Sequence, residues 1–409
     1  MQGFSTIPHR KRYRDQKGYN MARTRLYLDW NATSPLLPAA RQALVDALDV
    51  IGNPSSIHAE GRRARALVEN ARVRVAALAG VAAGNVIFTS GGTEAANLAL
   101  SPMLVRTHEK PCDLLFVSAG EHACVLDGSR FPASCVRIVP LNAEGIVDLG
   151  ALNAMLDESG EARVMLALQA ANNETGAIQP VREAAALVHA RGGVVVCDAV
   201  QAAGRIDCRV DTLDADAIFF SAHKIGGPKG VGALALRASD PNMQMRLIRG
   251  GGQERNLRAG TENVSGAAAF GVAAEWAQRE RDVEARNLAA LRDAMEERLL
   301  SALPDLTIFS RGVPRLANTS AFAIAGAPAS TLLIGLDLEG VAVSSGSACS
   351  SGKVKESHVL AAMGVAPDIS LGVIRVSLGR DTTAEDVSGF VDAYVRVASR
   401  IAQRRKAAA

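Results

Sequence analysis

Apolar residues along the chain fall into two kinds of pattern, and the two alternate. Over 62–79, Leu67, Val68, Ala71, Val75 and Leu78 recur at helical spacing with arginines opposite, which predicts an amphipathic helix. Short unbroken apolar runs follow at Val86 to Phe88, Leu114 to Val117, Val164 to Leu168, Val194 to Cys197 and Ala217 to Phe220. These runs lack the in–out alternation of a half-exposed strand, so both faces must be covered. Separated by helical stretches, they predict a largely parallel sheet in an α/β fold. A further helix is expected over 284–303, where Leu291, Met295, Leu299 and Leu303 recur at a spacing of four. No internal repeat or low-complexity segment stands out.

Polar residues follow closely on these runs: Thr93, His122, Asn173, Asp198, Gln201, His223 and Lys224. In open α/β sheets ligands bind beyond the carboxyl ends of the strands. The seven are therefore expected to converge on one rim. Singly, each has an ordinary explanation as a strand cap, a turn former or a loop polar group. Together they predict a site.

The residue types suggest which site. Lys224 stands just past an apolar run, within Ser221, Ala222, His223 and Lys224, and a Gly/Pro-rich turn follows. Burial lowers a lysine pKa, and a neutral amine condenses with an aldehyde. Ser221 and His223 beside it could hold a phosphate. Lysine, hydroxyl and imidazole together suggest pyridoxal phosphate; a surface turn with an incidental lysine is the other reading of this string alone. Ser90, Gly91, Gly92 and Thr93 end one run and open a helical stretch, where small residues let backbone N–H groups approach an anion. No Lys-Ser/Thr pair follows the glycines, so this is not a nucleotide P-loop. Asp198 emerges from a buried run as a carboxylate suited to a ring nitrogen that must stay protonated. Gln201 could donate to the ring's phenolic oxygen, and His122 offers a planar ring with a nitrogen titrating near neutrality. Arg375 suits a bidentate clamp on a carboxylate.

Composition narrows the class. A chain of 409 residues is long enough for two or three domain-sized units. Hydrophobic residues at 48% and charged residues at 21% describe an ordinary globular protein, and a net charge of +3 is too small to argue for nucleic acid. No apolar run approaches the ~20 residues that span a bilayer. Six cysteines without C-x-x-C spacing give neither a disulfide framework nor a zinc site. Free thiols without a secretory signal point to a reducing cytoplasm. Residues 1–20 carry Arg10, Lys11, Arg12, Arg14 and Lys17 against Asp15 alone, and read as a disordered or artefactual basic extension.

These motifs carry a family resemblance. The strings Tyr27 to Thr33, Gly52 to Ser55, Phe88 to Glu94, Glu121–His122, Asn172 to Gly176, Asp198 to Gln201, Ser221 to Lys224, Gly250 to Arg255, Arg258 to Thr261, Ser344 to Cys349 and Arg375 to Arg380 resemble, in order and spacing, those of the pyridoxal-phosphate-dependent cysteine desulfurases of the NifS/IscS-like group, within the class V aminotransferases. The likeness runs from about residue 26 to about residue 402. It implies the fold type I transferase architecture: a large cofactor-binding domain with a mainly parallel sheet over 37–280, and a smaller α+β domain from 21–36 and 281–409.

The resemblance also implies roles. Lys224 would bond the cofactor, Asp198 would pair with its ring nitrogen and Gln201 with its phenolate. His122 would stack on the ring and move protons. Gly92, Thr93, Ser221 and His223 would bind the phosphate, and Thr261 would reach it from the other subunit of a homodimer. Asn173 and Arg375 would bind the carboxylate of L-cysteine. Cys349, in a run of small residues expected to form a mobile, exposed loop, would take the sulfur as a persulfide and pass it to an acceptor such as an iron–sulfur scaffold protein or a tRNA-thiolation relay. The form of that run resembles the members with a longer catalytic loop. A related aminotransferase or selenocysteine lyase, and a non-catalytic binding protein of the same fold, are the rival readings. The Cys349 run argues against the transaminase, and intact Lys224, Asp198, His122 and Cys349 argue against the binding protein.

Overall fold

The computed structural model describes residues 25–104, 109–238, 244–346 and 356–408. A seven-stranded sheet forms the larger half. Its strands lie side by side in the order Val86–Thr89, Gly232–Leu236, Ala217–Ser221, Val194–Asp198, Val164–Ala167, Leu114–Ser118 and Val136–Val139. Gly232–Leu236 runs antiparallel to both neighbours, and the remaining pairs are parallel. Every residue of Val194–Asp198 and Ala217–Ser221 is buried, as the unbroken apolar runs require. Successive side chains serve opposite faces. Ile218 and Phe220 join one apolar cluster with Val68, Val75 and Phe270, while Ala217 and Phe219 join another with Leu98 and Leu115.

The smaller half holds a four-stranded antiparallel sheet ordered Ser344–Ser345, Ile374–Ser377, Thr319–Ile324 and Leu306–Ile308. The C-terminal helix Ala384–Ala408 packs on it through Phe390 and Tyr394, whose rings meet Phe322 at centroid distances of 6.3 and 5.2 Å.

One 39-residue helix, Val264–Ala302, joins the halves. It is longer than the helix expected over 284–303, and the expected boundary at 280/281 falls inside it. Its two ends have different compositions because they serve different cores. Ala267, Ala269, Ala273, Ala274 and Ala277 pack with the large sheet, while Leu288, Met295 and Leu299 pack with the small one. Small side chains let the first part lie close: a Cβ on Gly271 would come within 2.7 Å of the Ala71 backbone.

A second connection comes from the N-terminal strap, residues 26–34. Leu26–Tyr27 pairs in parallel with Val341–Ala342 of the small half. Trp30 then lies flat against Gly379, where any Cβ would occupy the indole. The Arg380 guanidinium sits 5.1 Å from the Trp30 ring centroid and 5.7 Å from that of Trp276, on the long helix. Among the described residues, no helix is long and apolar enough to cross a membrane.

Candidate active site

The expected rim residues occupy the carboxyl ends of the parallel strands. Val86–Thr89 leads to Ser90 and the helix Gly92–Ala99; Leu114–Ser118 leads to Glu121 and His122; Val194–Asp198 ends on Asp198; Ala217–Ser221 leads into Ala222–Lys224. The antiparallel strand enters this rim at Gly232, which faces both Thr89 and Ser221 in register. A Cβ there would lie 2.6 Å from Gly91 and from the Phe220 carbonyl oxygen, so only glycine lets the loop and strand meet.

Gly92 is buried, with room for no more than a small atom between Val200 and Ser221, while Gly91 faces open space. The first-turn N–H groups of Gly92–Ala99 have no acceptor within the helix. Thr93 is exposed at this turn. Glu94 reaches back to Ser90 N at 2.8 Å and takes the Arg258 guanidinium at 2.8 and 3.2 Å. That pair ties the turn to the segment bearing Thr261, which is exposed and lines a cavity of about 140 Å³ with Ser90 of its own chain.

Asp198 is 8% exposed, and burial lifts its carboxyl to about 6. Val200 N donates to Oδ1 at 2.8 Å. Glu121 lies deeper still. Burial and the neighbouring Asp198 charge push its carboxyl far up, and its Oε2 has no hydrogen-bond partner. His122 caps the short helix Ala123–Leu126 by accepting Cys124 N on Nδ1 at 3.1 Å. A neutral ring held this way carries its proton on Nε2. Desolvation, then Lys224 and His358, lower its pKa. Burial, then Asp198 and Glu121, push up the Cys124 thiol, so this neighbour is no thiolate.

Lys224 is half-buried. Burial, Arg375 and Arg205 lower its amine from 10.5 to about 8. Its Nζ donates to the carbonyls of Asn31 at 2.6 Å and Ala32 at 2.9 Å. Gln201 gives Nε2 to the Asn31 carbonyl at 3.0 Å and takes Arg205 on Oε1. That arrangement fixes which way the amide faces. The His223 ring meets Thr33 Oγ1 at 3.2 Å, and burial with the Lys224 and Lys229 charges lowers it to about 4.

Arg375 is 2% exposed. Its Nη1 donates to the Asn173 carbonyl at 3.0 Å and its Nη2 to Asp29 at 2.8 Å, while Nε stands buried without an acceptor. A buried guanidinium whose Nε–H is uncommitted is a ready partner for a carboxylate.

In the sequence the strap residues Asp29, Asn31 and Thr33 stand out only as members of the string Tyr27 to Thr33. They touch Arg375, Lys224, Gln201 and His223, and Asn31 is further bonded to Asn173, Asn318, Thr319 and Ser377. A polar residue 1% exposed with all its groups engaged carries no local sequence signal beyond alternation with Leu28 and Trp30. Cys349 lies outside the described residues, as does 1–20. Among the described residues no cluster of His, Cys, Asp or Glu could hold a metal ion.

These groups fit pyridoxal phosphate: a lysine amine lowered to about 8, a carboxylate on Asp198 lifted by burial, and a glycine cradle at a helix start. The profile of the family Aminotransferase class-V matches residues 26–390. The chain is 38% identical to "Cysteine desulfurase IscS" of Dictyoglomus turgidum, covering 92% of this chain and 95% of that one. It is 39% identical to "Cysteine desulfurase" of Cereibacter sphaeroides, covering 90% and 94%. Among solved structures it is similar to the NifS-like protein of Rickettsia africae, with a TM-score of 0.81, 31% identity and coverage of 92% and 99%.

Proposed function

The chain belongs to the class-V aminotransferase family, among its cysteine desulfurases, and on that premise we propose how its residues divide the work. It is an enzyme that takes sulfur from L-cysteine and leaves L-alanine, in a family that works with pyridoxal phosphate. Bound at the strand rim, the cofactor supplies an aldehyde for a lysine and a protonated ring that spreads negative charge from the substrate's Cα.

Lys224 would hold the cofactor and would move the proton at the substrate's Cα; an amine lowered to about 8 is partly neutral at cellular pH, as both tasks need. Asp198 keeps the ring nitrogen protonated. Gln201, its amide fixed by Arg205 and Asn31, turns its remaining N–H to the phenolate. His122 covers the ring and handles protons at Nε2. Gly92, Thr93, Ser221 and His223 hold the phosphate, with Thr261 reaching it across a homodimer. Arg375 and Asn173 receive the substrate carboxylate, with Arg375 offering its uncommitted Nε. The Cys349 thiolate attacks the substrate sulfur: the S–S bond forms as the Cβ–S bond breaks. The carbon skeleton keeps that electron pair, takes up a proton and leaves as alanine. Cys349 then carries a persulfide for a sulfur-acceptor protein in the cytoplasm, such as an iron–sulfur scaffold or a tRNA-thiolation relay.

The observation that supports this reading best is the lysine amine lowered to about 8 on the same rim as the lifted carboxylate of Asp198. Borohydride reduction of the holoenzyme followed by peptide mapping is expected to leave the pyridoxyl group on Lys224; finding it on Lys229 would sink the assignment. Incubation with L-cysteine is expected to yield alanine without any keto acid and a persulfide on Cys349.

A further inference from the structure

Glu121 is a buried acid that the reaction does not call on. It is 0% exposed, and its Oε2 has no hydrogen-bond partner among the described residues. Its place follows from how two neighbouring strands end. Beyond Val164–Ala167, successive N–H groups point to alternate sides. Leu168 N reaches the Val196 carbonyl at 3.1 Å and Ala170 N the Asp198 carbonyl at 2.8 Å, both on Val194–Asp198. Gln169 N must therefore find its acceptor on the other side, toward Leu114–Ser118. That strand pairs with Val164–Ala167 as far as Val117 opposite Ala167. It then turns away, and Ala119 N goes to the Val139 carbonyl of the edge strand at 2.9 Å. Oε1 of Glu121 accepts Gln169 N in place of the missing backbone carbonyl.

The two segments are tied in the other direction as well. Gln169 Nε2 donates to the Gly120 carbonyl at 2.7 Å, and Asn172 Nδ2 donates to the same oxygen at 3.1 Å. The Glu121 carbonyl meets His358 Nε2 at 2.8 Å, from the helix His358–Ala362 of the small half. One residue thus joins the turn bearing His122 to the segment bearing Asn173, and both to the small half.

The acid is neutral in this setting. An ionised carboxylate with one oxygen unbonded, wholly buried and beside a second carboxyl, carries a cost that a single backbone donor does not offset. Burial and the Asp198 charge push the Glu121 carboxyl far up, and the N–H groups of Gln169 and His122 pull it back only in part. The Cys124 and Cys197 thiols also feel Glu121 and Asp198, and both are pushed up. Of the two carboxyls, Asp198 is the shallower, and Val200 N at 2.8 Å receives its charge. A neutral Glu121 leaves Asp198 as the one charged acid beneath the cofactor.

We infer that Glu121 is a positioning residue: as a neutral acid it stands in for the rung that Leu114–Ser118 no longer supplies, and so fixes the segment bearing Asn173 against the turn bearing His122. It acts through the Gln169 backbone and through its neighbour His122. This role rests on the reading that His122 covers the ring and Asn173 helps receive the substrate carboxylate.

The test takes three readings on the holoenzyme: kcat and KM for alanine formation from L-cysteine, the pH dependence of kcat/KM, and the visible circular dichroism of bound pyridoxal phosphate, which reports the surroundings of the ring. Glu121→Ala is expected to lower kcat/KM by about tenfold or more, the order that an ångström-scale misplacement of reacting groups costs, and to change the dichroism band. Glu121→Met keeps the volume and removes the acceptor, and carries the same expectation should the alanine variant not fold. Glu121→Gln is expected to restore most of the rate and the band, since its amide oxygen still accepts Gln169 N. Its pH profile is expected to superimpose on that of the wild type from mildly acidic to mildly alkaline pH, because one neutral group replaces another. Removing a charge beside Asp198 would instead displace the profile. A Gln variant no better than the Met variant, a displaced Gln profile, or wild-type rates and dichroism in both Ala and Met variants would each overturn the inference. Borohydride mapping and a His122→Ala control separate the two levels. A label away from Lys224, or a His122→Ala enzyme as active as the wild type, removes the reading of the site. A label on Lys224 and an impaired His122→Ala enzyme, beside fully active Glu121→Ala and Glu121→Met, remove the role of Glu121 alone.

Discussion

Asp198 is a residue whose function opposes the stability of the empty protein. In the fold its carboxyl titrates near 6, against 3.8 in a free chain, because burial disfavours the charge. As pH rises from about 4 to 6, the unfolded chain releases this proton first, so the native state loses stability across that window. The penalty is complete above 6 and absent below about 3.8, and at about 1.4 kcal/mol per unit it amounts to a few kcal/mol at most. Asp198→Asn keeps an acceptor for Val200 N and removes the charge. The cofactor-free variant is expected to melt above the cofactor-free wild type at pH 8, with the gap narrowing towards pH 5. With pyridoxal phosphate bound the order is expected to reverse, because the protonated ring nitrogen stabilises the carboxylate and not the amide. Thermal melts of both forms at the two pH values check this. A gap that ignores pH, or none at all, would show that Asp198 carries no such burden.

At the scale of elements, what the sequence made legible follows from how each element is buried. The central strands are covered on both faces, so they appear as unbroken apolar runs, and the rim residues follow each run directly. The edge strand Val136–Val139 is interrupted by Arg137 and is partly exposed, so it carried no such signal, whereas the opposite edge strand Val86–Thr89 is wholly buried and did. Only the second part of the long helix was legible, because its leucines recur at helical spacing, whereas its alanine-rich first part serves a different core and lies beyond a charged stretch. The strap was legible as a motif and illegible as a device, since its bonds span separations such as 346 residues from Asp29 to Arg375. Gly379 tests that device. A methyl group there must push Trp30 aside, which is expected to cost about 1–3 kcal/mol as overpacking. The displacement should also move the Asn31 and Ala32 carbonyls away from Lys224. Gly379→Ala is therefore expected to melt lower, to change tryptophan fluorescence, and to capture added pyridoxal phosphate more slowly. Reduced stability with an unchanged rate of capture would mean that the strap does not set the lysine.

At the scale of the whole molecule, the open question is which chain completes the phosphate site. Family resemblance assigns Thr261 to the partner's site, whereas the fold puts Thr261 and Ser90 of one chain around one cavity. The two arrangements differ in what mixed dimers can do. Suppose Lys224→Ala and Thr261→Ala subunits, each strongly impaired alone, are co-expressed with different tags. If Thr261 serves the neighbouring subunit, a mixed dimer has one site with both defects and one site with neither. Random pairing in a two-fold dimer then leaves about a quarter of all sites intact. If Thr261 serves its own chain, every site in every pairing carries a defect. Doubly tagged dimers are expected to recover L-cysteine turnover at about half the wild-type activity per dimer, one intact site in two. The same purified dimers should sediment as a single two-chain species. Mixed dimers no more active than their parents would place Thr261 in its own chain's site, with the Glu94–Arg258 pair as the link that carries it there. A monomer that turns over cysteine would remove the partner from the site altogether.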